Sequence, residues 1–408
     1  MRSSLPPPAL LLADPQGRVR EEPDILLLCR RGSELALPRP DELMPLPPES
    51  GLFLLPDRRA LGFNPRSGQA EEFGDLAVAA FAAPGQTLTA HPAYRSLSGA
   101  AALPLFAYGA VGAVKGRLYL CARKTDAEPR WASAPVSSKT LRRNALELAA
   151  RSPSNRLLQR LIRKCALTWN CQAARDFCLG RHEAPLPVSG ACNARCLGCI
   201  SEAAPRERPD FTPKAEEVAE LMFLHQERAA APAYSFGQDC EGEPLAAAGV
   251  IAESIALFRA GGGRGRISLN TNASLPEEVA RISAAGLSLM RVSLNSARPE
   301  AHRLYSRPQG FDLGRVRESM RRAVALGVSV TLRLLFFPGF SDSEAETQAL
   351  IALIRETGAD CLQLRNLGID PEFYLEALQG LENGPALGFG NFRKRLLRSC
   401  PEIKIISE

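Results

Sequence analysis

The 408-residue sequence contains no run approaching the ~20 consecutive apolar residues that a membrane-spanning helix needs. Its opening stretch, MRSSLPPPALLLADPQ, is interrupted by three consecutive prolines, and its apolar part is too short for a signal peptide. Histidine is scarce, at four residues. Paired C-x2-C units and histidines at fixed spacing, the marks of structural zinc sites, are missing; His182, the histidine nearest the main cysteine cluster, fits no such pattern. No internal repeat is visible. Charge of one sign does not dominate: 50 Lys plus Arg against 44 Asp plus Glu leave +6, which permits an acidic partner without demanding one. These features predict a cytoplasmic protein without a membrane anchor. With 45% hydrophobic and 23% charged residues, the chain is not disordered by composition and can fill two or three domains. Eleven cysteines in such a chain point to metal binding or catalysis rather than to disulfides.

Residues 1–138 carry short apolar runs between turn signals, with Lys115-Gly116 as a tight turn, and predict a small β-rich domain. Residues 139–184 interleave leucines with arginines and predict a helical linker, broken at Pro153. From 185 to 370, strand-like runs at 185–189, 233–237, 266–271, 289–294, 328–337 and 361–367 alternate with helical segments. One helix is expected to begin with Thr212 as its cap and Pro213 as its first residue. Six β–α units in a row imply a parallel sheet curling into a full or partial barrel, with chemistry at the C-terminal strand ends. Residues 371–408 read as a helical tail. Gly261 to Gly265 precede a strand, so they form a connection rather than a phosphate loop.

Directly after the first of these strands comes Cys192-Asn193-Ala194-Arg195-Cys196-Leu197-Gly198-Cys199, a C-x3-C-x2-C spacing. Three thiolates this close can hold three irons of one [4Fe–4S] cluster, and with no fourth cysteine nearby one iron stays open. This loop, after the first strand of a six-fold β–α region, resembles the radical SAM superfamily over roughly residues 185–370. Many members have an aromatic residue where Gly198 stands. The resemblance implies an α/β fold, a partial (β/α)6 TIM-type barrel behind an N-terminal β-rich domain. It also implies an enzyme that binds S-adenosylmethionine at the open iron and takes an electron from a donor such as flavodoxin or ferredoxin. Cleavage of the sulfonium bond would then give a 5′-deoxyadenosyl radical that abstracts hydrogen from a substrate.

The same resemblance extends to cofactor contacts. Glu241-Gly242-Glu243-Pro244 is similar to the family's GGEP motif, with Glu241 replacing the first glycine, and implies that Glu243 meets the methionine ammonium. Thr271-Asn272-Ala273 is similar to its TNG segment. Ser293 and Asn295 on the fourth strand stand where members place polar contacts to the cofactor. Arg333, inside an apolar strand, needs a partner, either the cofactor's carboxylate or an internal acid. Gln363, Arg365 and Asn366 at the sixth strand's end face substrate or cofactor, and Asp342 is expected to cap a helix.

Cys165, Cys171 and Cys178 lie upstream and are the candidates for an auxiliary iron–sulfur cluster; small buried packing is the alternative. Cys240 sits beside the presumed cofactor loop, as an auxiliary ligand, a hydrogen-atom donor or a packed bystander. Basic segments at 142–164 and 392–398 are either solvated helix faces or contacts to nucleic acid or an acidic peptide. The substrate classes left open are a peptide or protein, docked by the N-terminal domain, and RNA. The non-enzymatic alternative is a zinc-binding interaction protein.

Overall fold

The computed structural model describes residues 5–125, 136–203 and 207–407; the first four residues of the opening stretch lie outside them. Seven parallel strands form one sheet in chain order: β1 (Glu183–Pro185), β2 (Ala233–Phe236), β3 (Arg266–Thr271), β4 (Leu289–Leu294), β5 (Ser329–Phe336), β6 (Cys361–Asn366) and β7 (Lys404–Ser407). Alternation sorts their side chains. On β5, Val330, Leu332, Leu334 and Phe336 are buried in the apolar core, while Ser329, Thr331 and Arg333 face the opposite side. That second face lines a 700 Å³ cavity, to which every strand contributes, among them Glu183, Ser235, Asn270, Arg291, Gln363 and Lys404. A flat sheet cannot set all its strands around one cavity, so this sheet is strongly curved.

The crossovers are helices with local reasons to start and stop: α1 (Ala215–Gln226), α2 (Ala248–Ala260), α3 (Pro276–Gly286), α4 (Pro299–Ser306), α5 (Leu313–Ala325) and α6 (Glu344–Thr357). Pro276 opens α3 with Glu277 and Glu278 in its first turn, and Val279 and Ile282 are its buried stripe. The Asp312 carboxylate accepts Arg315 N–H at 3.0 Å to cap α5. At the far end of α6, Gly358 takes the left-handed conformation, φ 72°.

Residues 9–124 build a nine-stranded, antiparallel sheet and a small three-stranded one. Strands Gly109–Val114 and Arg117–Lys124 are joined by Lys115 and Gly116 at φ 51° and 73°, the primed turn that matches strand twist. This sheet is fixed to the segment after β6. Asp370 accepts from Arg58 Nη2 (2.7 Å), Tyr94 Oη (3.2 Å) and Leu103 N (3.0 Å). Between the two sheets lie helices Ser138–Arg151, Arg156–Arg160 and Gln172–Cys178, with the expected break around Pro153. Among the described residues, no helix is long and apolar enough to cross a membrane.

Several boundaries differ from the sequence reading. The C-terminal segment is not purely helical, since it ends in β7, parallel to β6, with Ile405 opposite Leu362. A four-residue strand is too short for its periodicity to register. The first strand of the sheet ends at Pro185, because Pro185 and Pro187 lack the N–H that a longer ladder needs. Helix α1 starts two residues late, at Ala215, because the Glu217 carboxylate accepts Lys214 N–H at 2.8 Å and so fixes the first turn there. Asp342 is not the cap of α6. The hydroxyl of Ser343 accepts Glu346 N–H (3.3 Å), and Asp342 instead closes the preceding turn by accepting Gly339 N–H (2.6 Å). Asn366 does not face the interior; it accepts Leu88 N–H (2.8 Å) and donates to the Gln86 carbonyl (2.9 Å), joining the two sheets.

Candidate active site

The cysteine loop leaves β1 and is held on both flanks. On one side it pairs with the end of α4 and the chain after it: Leu197 N–H donates to the Tyr305 carbonyl (3.0 Å), Arg195 N–H to the Ser306 carbonyl (3.0 Å), and Gln309 N–H to the Asn193 carbonyl (2.9 Å). On the other side Asn193 accepts from Asn272 Nδ2 (2.8 Å) and donates to Ser274 Oγ (2.9 Å). Cys192, Cys196 and Cys199 are thereby presented half-buried at the C-terminal ends of the strands. Burial pushes the Cys196 thiol up to about 12 and also raises Cys192.

The Glu241–Pro244 loop docks directly on this one. Gly242 N–H donates to Ser189 O (2.7 Å) and Glu243 N–H to Ala191 O (2.8 Å). A Cβ on Gly242 would stand 2.0 Å from the Ala191 carbonyl oxygen, so only glycine permits this approach. Glu241, which replaces a family glycine, is a staple: one carboxylate oxygen accepts Val188 N–H (2.7 Å) and Ser189 N–H (3.0 Å), the other Gly237 N–H (2.8 Å) and Gln238 N–H (2.7 Å). Glu243 accepts from Thr271 Oγ1 (2.5 Å), Leu245 N–H (3.1 Å) and Asn272 N–H (2.8 Å), tying its loop to the end of β3. Burial raises both carboxyls to about 7 against these donors. Ala273, in the place of a family glycine, adopts φ 54°.

One 220 Å³ cavity collects the three clustered cysteines and the residues expected to contact the cofactor. Cys192, Cys196 and Cys199 line it together with Gly242, Glu243 and Pro244; so do Thr271 and Asn272 from β3, Ser293 and Asn295 from β4, and Arg333 from β5. Ser293 is exposed toward it, whereas the Asn295 amide donates to the Ala301 carbonyl (3.1 Å) and Tyr374 Oη (3.2 Å). The Asn295 Oδ1 atom is buried and has no hydrogen-bond partner among the described residues. An orphaned acceptor of this kind suits a ligand that donates.

Sequence reasoning passed over several lining residues, among them Ser201, Arg208, His302 and Tyr305. Those named come from the turn after the cysteine loop and from α4, and nothing in their local pattern distinguishes them from surface residues. Gly198 is explained by the fold, because a Cβ there would lie 2.4 Å from Ile369 Cδ1, and Tyr305 Oη is 3.8 Å away. Gly237, Gln238, Asp239, Asn270 and Arg333 line both this cavity and the 700 Å³ one inside the sheet, so the two adjoin.

The other cysteines divide. Cys165 and Cys178 are buried and Cys171 half-buried. Burial, then neighbouring Cys165, Glu241 and Cys171, push the Cys240 thiol up to about 12, which places Cys240 beside the upstream set. Among the described residues, no group of three or more His, Cys, Asp or Glu side chains closes tightly enough for a single metal ion. Some of the basic side chains are paired: Arg151 with Glu227 (2.6 Å), Arg156 with Glu217 (3.5 Å), Lys164 with Glu207 (2.9 Å), and Arg395 with Glu344.

Comparison with known proteins agrees with this geometry. The sequence profile of the Radical SAM superfamily matches residues 186–351. A GTP 3′,8-cyclase from Peptoclostridium acidaminophilum is 28% identical over 182 residues, 44% of this chain and 54% of that protein. Molybdenum cofactor biosynthesis protein 1 from Bos taurus is 30% identical over 174 residues, 40% of this chain and 26% of that one. The chain thus spans about half the length of the bacterial relative and a quarter of the bovine one. Among solved structures, native anSMEcpe with bound AdoMet aligns at a TM-score of 0.36 and 18% identity, covering 45% of this chain and 51% of that one. The profile match takes in the cysteine loop and the strands from β2 to β5, about two fifths of the chain, and over that stretch the chain is similar to the radical SAM superfamily of enzymes, which use a [4Fe–4S] cluster and S-adenosylmethionine.

Proposed function

We propose that Cys192, Cys196 and Cys199 bind three irons of a [4Fe–4S] cluster and that S-adenosylmethionine sits beside it in the same cavity. One observation carries this reading: three thiols, the Glu243 carboxyl and the polar ends of β3 and β4 line a single 220 Å³ space. When bound, the cluster and S-adenosylmethionine supply an electron and a 5′-deoxyadenosyl radical that takes a hydrogen atom from substrate. The chain's residues hold and orient. The raised thiols start out protonated, so iron entry displaces their protons. Glu243 offers a carboxylate to the methionine ammonium, and Arg333, at the junction of the two cavities, offers a forked donor to a carboxylate.

In this reading the curved seven-stranded sheet is a partial (β/α)6 barrel. Residues 185–370 are the core, 139–184 a linker, and 1–138 a docking domain for a peptide or protein substrate. Pro84 and Gly85, beside the N-terminal sheet, reach the 700 Å³ cavity, whose size suits a side chain or a small molecule. Carboxylates hold Arg151, Arg156, Lys164 and Arg395, which favours a peptide or protein over RNA. A nucleotide is the second reading, drawn from the GTP 3′,8-cyclase relative and from Arg266, Arg291, Arg333 and Lys404 in that cavity. An auxiliary cluster on Cys165, Cys171 and Cys178, now with Cys240 beside them, is a separate proposal. Replacing all four by serine lowers the iron content while sparing the main cluster's signal if it holds. A low-potential flavodoxin or ferredoxin in the cytoplasm completes the scheme.

The test is anaerobic reconstitution with dithionite and S-adenosylmethionine, followed by assay for 5′-deoxyadenosine. Its formation, and its loss in the triple Cys→Ala variant, supports the reading. Protein that carries zinc without sulfide, or a cluster that yields no 5′-deoxyadenosine, refutes it.

A further inference from the structure

Of the three clustered cysteines, Cys199 has side-chain donors directed at it. Arg208 Nη2 donates to Cys199 Sγ at 3.5 Å, and Ser201 Oγ lies 3.2 Å from the same sulfur. The serine hydroxyl also accepts from Arg208, through Nε at 3.1 Å and Nη2 at 2.9 Å. With its lone pairs taken by the guanidinium, Ser201 has its single proton left for the sulfur, so the contact runs O–H···S. Glu202 holds the guanidinium from outside at 3.3 Å, and Arg208 is only 24% exposed. Ser201, Arg208 and Cys199 line the same cavity. Two donors and one fixed positive charge therefore converge on one sulfur. Among the described residues, neither Cys192 nor Cys196 has a comparable hydrogen bond from a side chain.

We propose that Arg208 and Ser201 form a relay that raises the reduction potential of the cluster bound through Cys199. The inference rests on the cluster assignment above. Reduction adds one electron from an external low-potential donor and makes or breaks no bond. The added negative charge spreads onto the ligand sulfurs, and hydrogen bonds plus a nearby cation stabilise it more than they stabilise the oxidised state. Both are positioning residues, since neither needs to touch S-adenosylmethionine or substrate.

The test is a redox titration of the reconstituted full-length protein, read by the spin signal of the reduced cluster, beside iron and sulfide analysis. At a solution potential fixed at the wild-type midpoint, Arg208→Gln lowers the reduced-to-oxidised ratio roughly tenfold, equivalent to about 59 mV for one electron. Arg208→Lys, which keeps the charge and loses the fork, and Ser201→Ala, which removes one oxygen, each lower it by a smaller factor. Ratios within twofold of wild type in all three, at unchanged iron and sulfide, overturn the relay. If Arg208→Gln fails to hold iron, Ser201→Ala decides alone, and an unchanged ratio there overturns the proposal. Wild-type protein without iron and sulfide instead sinks the cluster assignment, and that appears before any titration begins.

Discussion

Replacing Glu241 by glutamine isolates what its carboxylate does, because size and shape are kept. Two carboxylate oxygens accept four backbone N–H groups, from Val188, Ser189, Gly237 and Gln238, at 2.7 to 3.0 Å. An amide has one carbonyl oxygen, so whichever way the substituted side chain turns, its NH2 faces two of those donors. Each buried donor left unsatisfied costs about 1–3 kcal/mol, and the remaining pair loses its charge assistance. The sum is on the order of 4 kcal/mol, a large share of the roughly 5–15 kcal/mol that holds a typical protein folded. Because the four amides flank the cysteine loop and the loop that docks on it, the loss also loosens the cluster site. The assay is urea unfolding at pH 8, above the Glu241 pKa of about 7, with iron content measured in parallel. The exposed Glu253→Gln variant serves as control and should stay within about 0.5 kcal/mol of wild type. A Glu241→Gln protein that unfolds at the wild-type midpoint and holds full iron would refute the staple.

Other outcomes follow from the same geometry. Burial raises Glu243 to about 7, and it must ionise to pair with an ammonium, so S-adenosylmethionine binding measured by calorimetry should weaken as pH falls through 7, approaching tenfold per unit below it; Glu243→Gln should flatten that profile. Gly198→Ala should destabilise by about 1–3 kcal/mol through its clash with Ile369, and Ile369→Ala in the same chain should relieve part of that clash, as a double-mutant cycle would show. Asp370→Ala leaves Arg58 buried without its partner, should cost about 3–5 kcal/mol, and should make the N-terminal sheet more sensitive to limited proteolysis.

The fold of the second half was legible because its helices and strands repeat at lengths where periodicity speaks clearly. Helix α3 buries its Val279–Ile282 stripe, and the apolar run at 328–337 gave β5. The cysteine loop was legible because its spacing is local. Arg208 and Tyr305 were not, because each reaches the site from outside any motif, through a turn or a helix end whose direction the sequence does not encode. Asn366 misled for the same reason: a polar residue at a strand end looks inward until a neighbouring sheet is present to receive it.

By itself the sequence determined the chemistry on offer, namely three thiols at C-x3-C-x2-C spacing and acidic and amide residues one β–α unit apart, since residue identity and short-range spacing are fixed by the covalent chain. Only the tertiary structure decided that these loops close on one cavity, that Glu241 is a staple rather than a contact, and that a second sheet is anchored at Asp370. Those outcomes depend on which backbone donors and side chains meet across long stretches of intervening chain, and local propensity carries no record of that meeting.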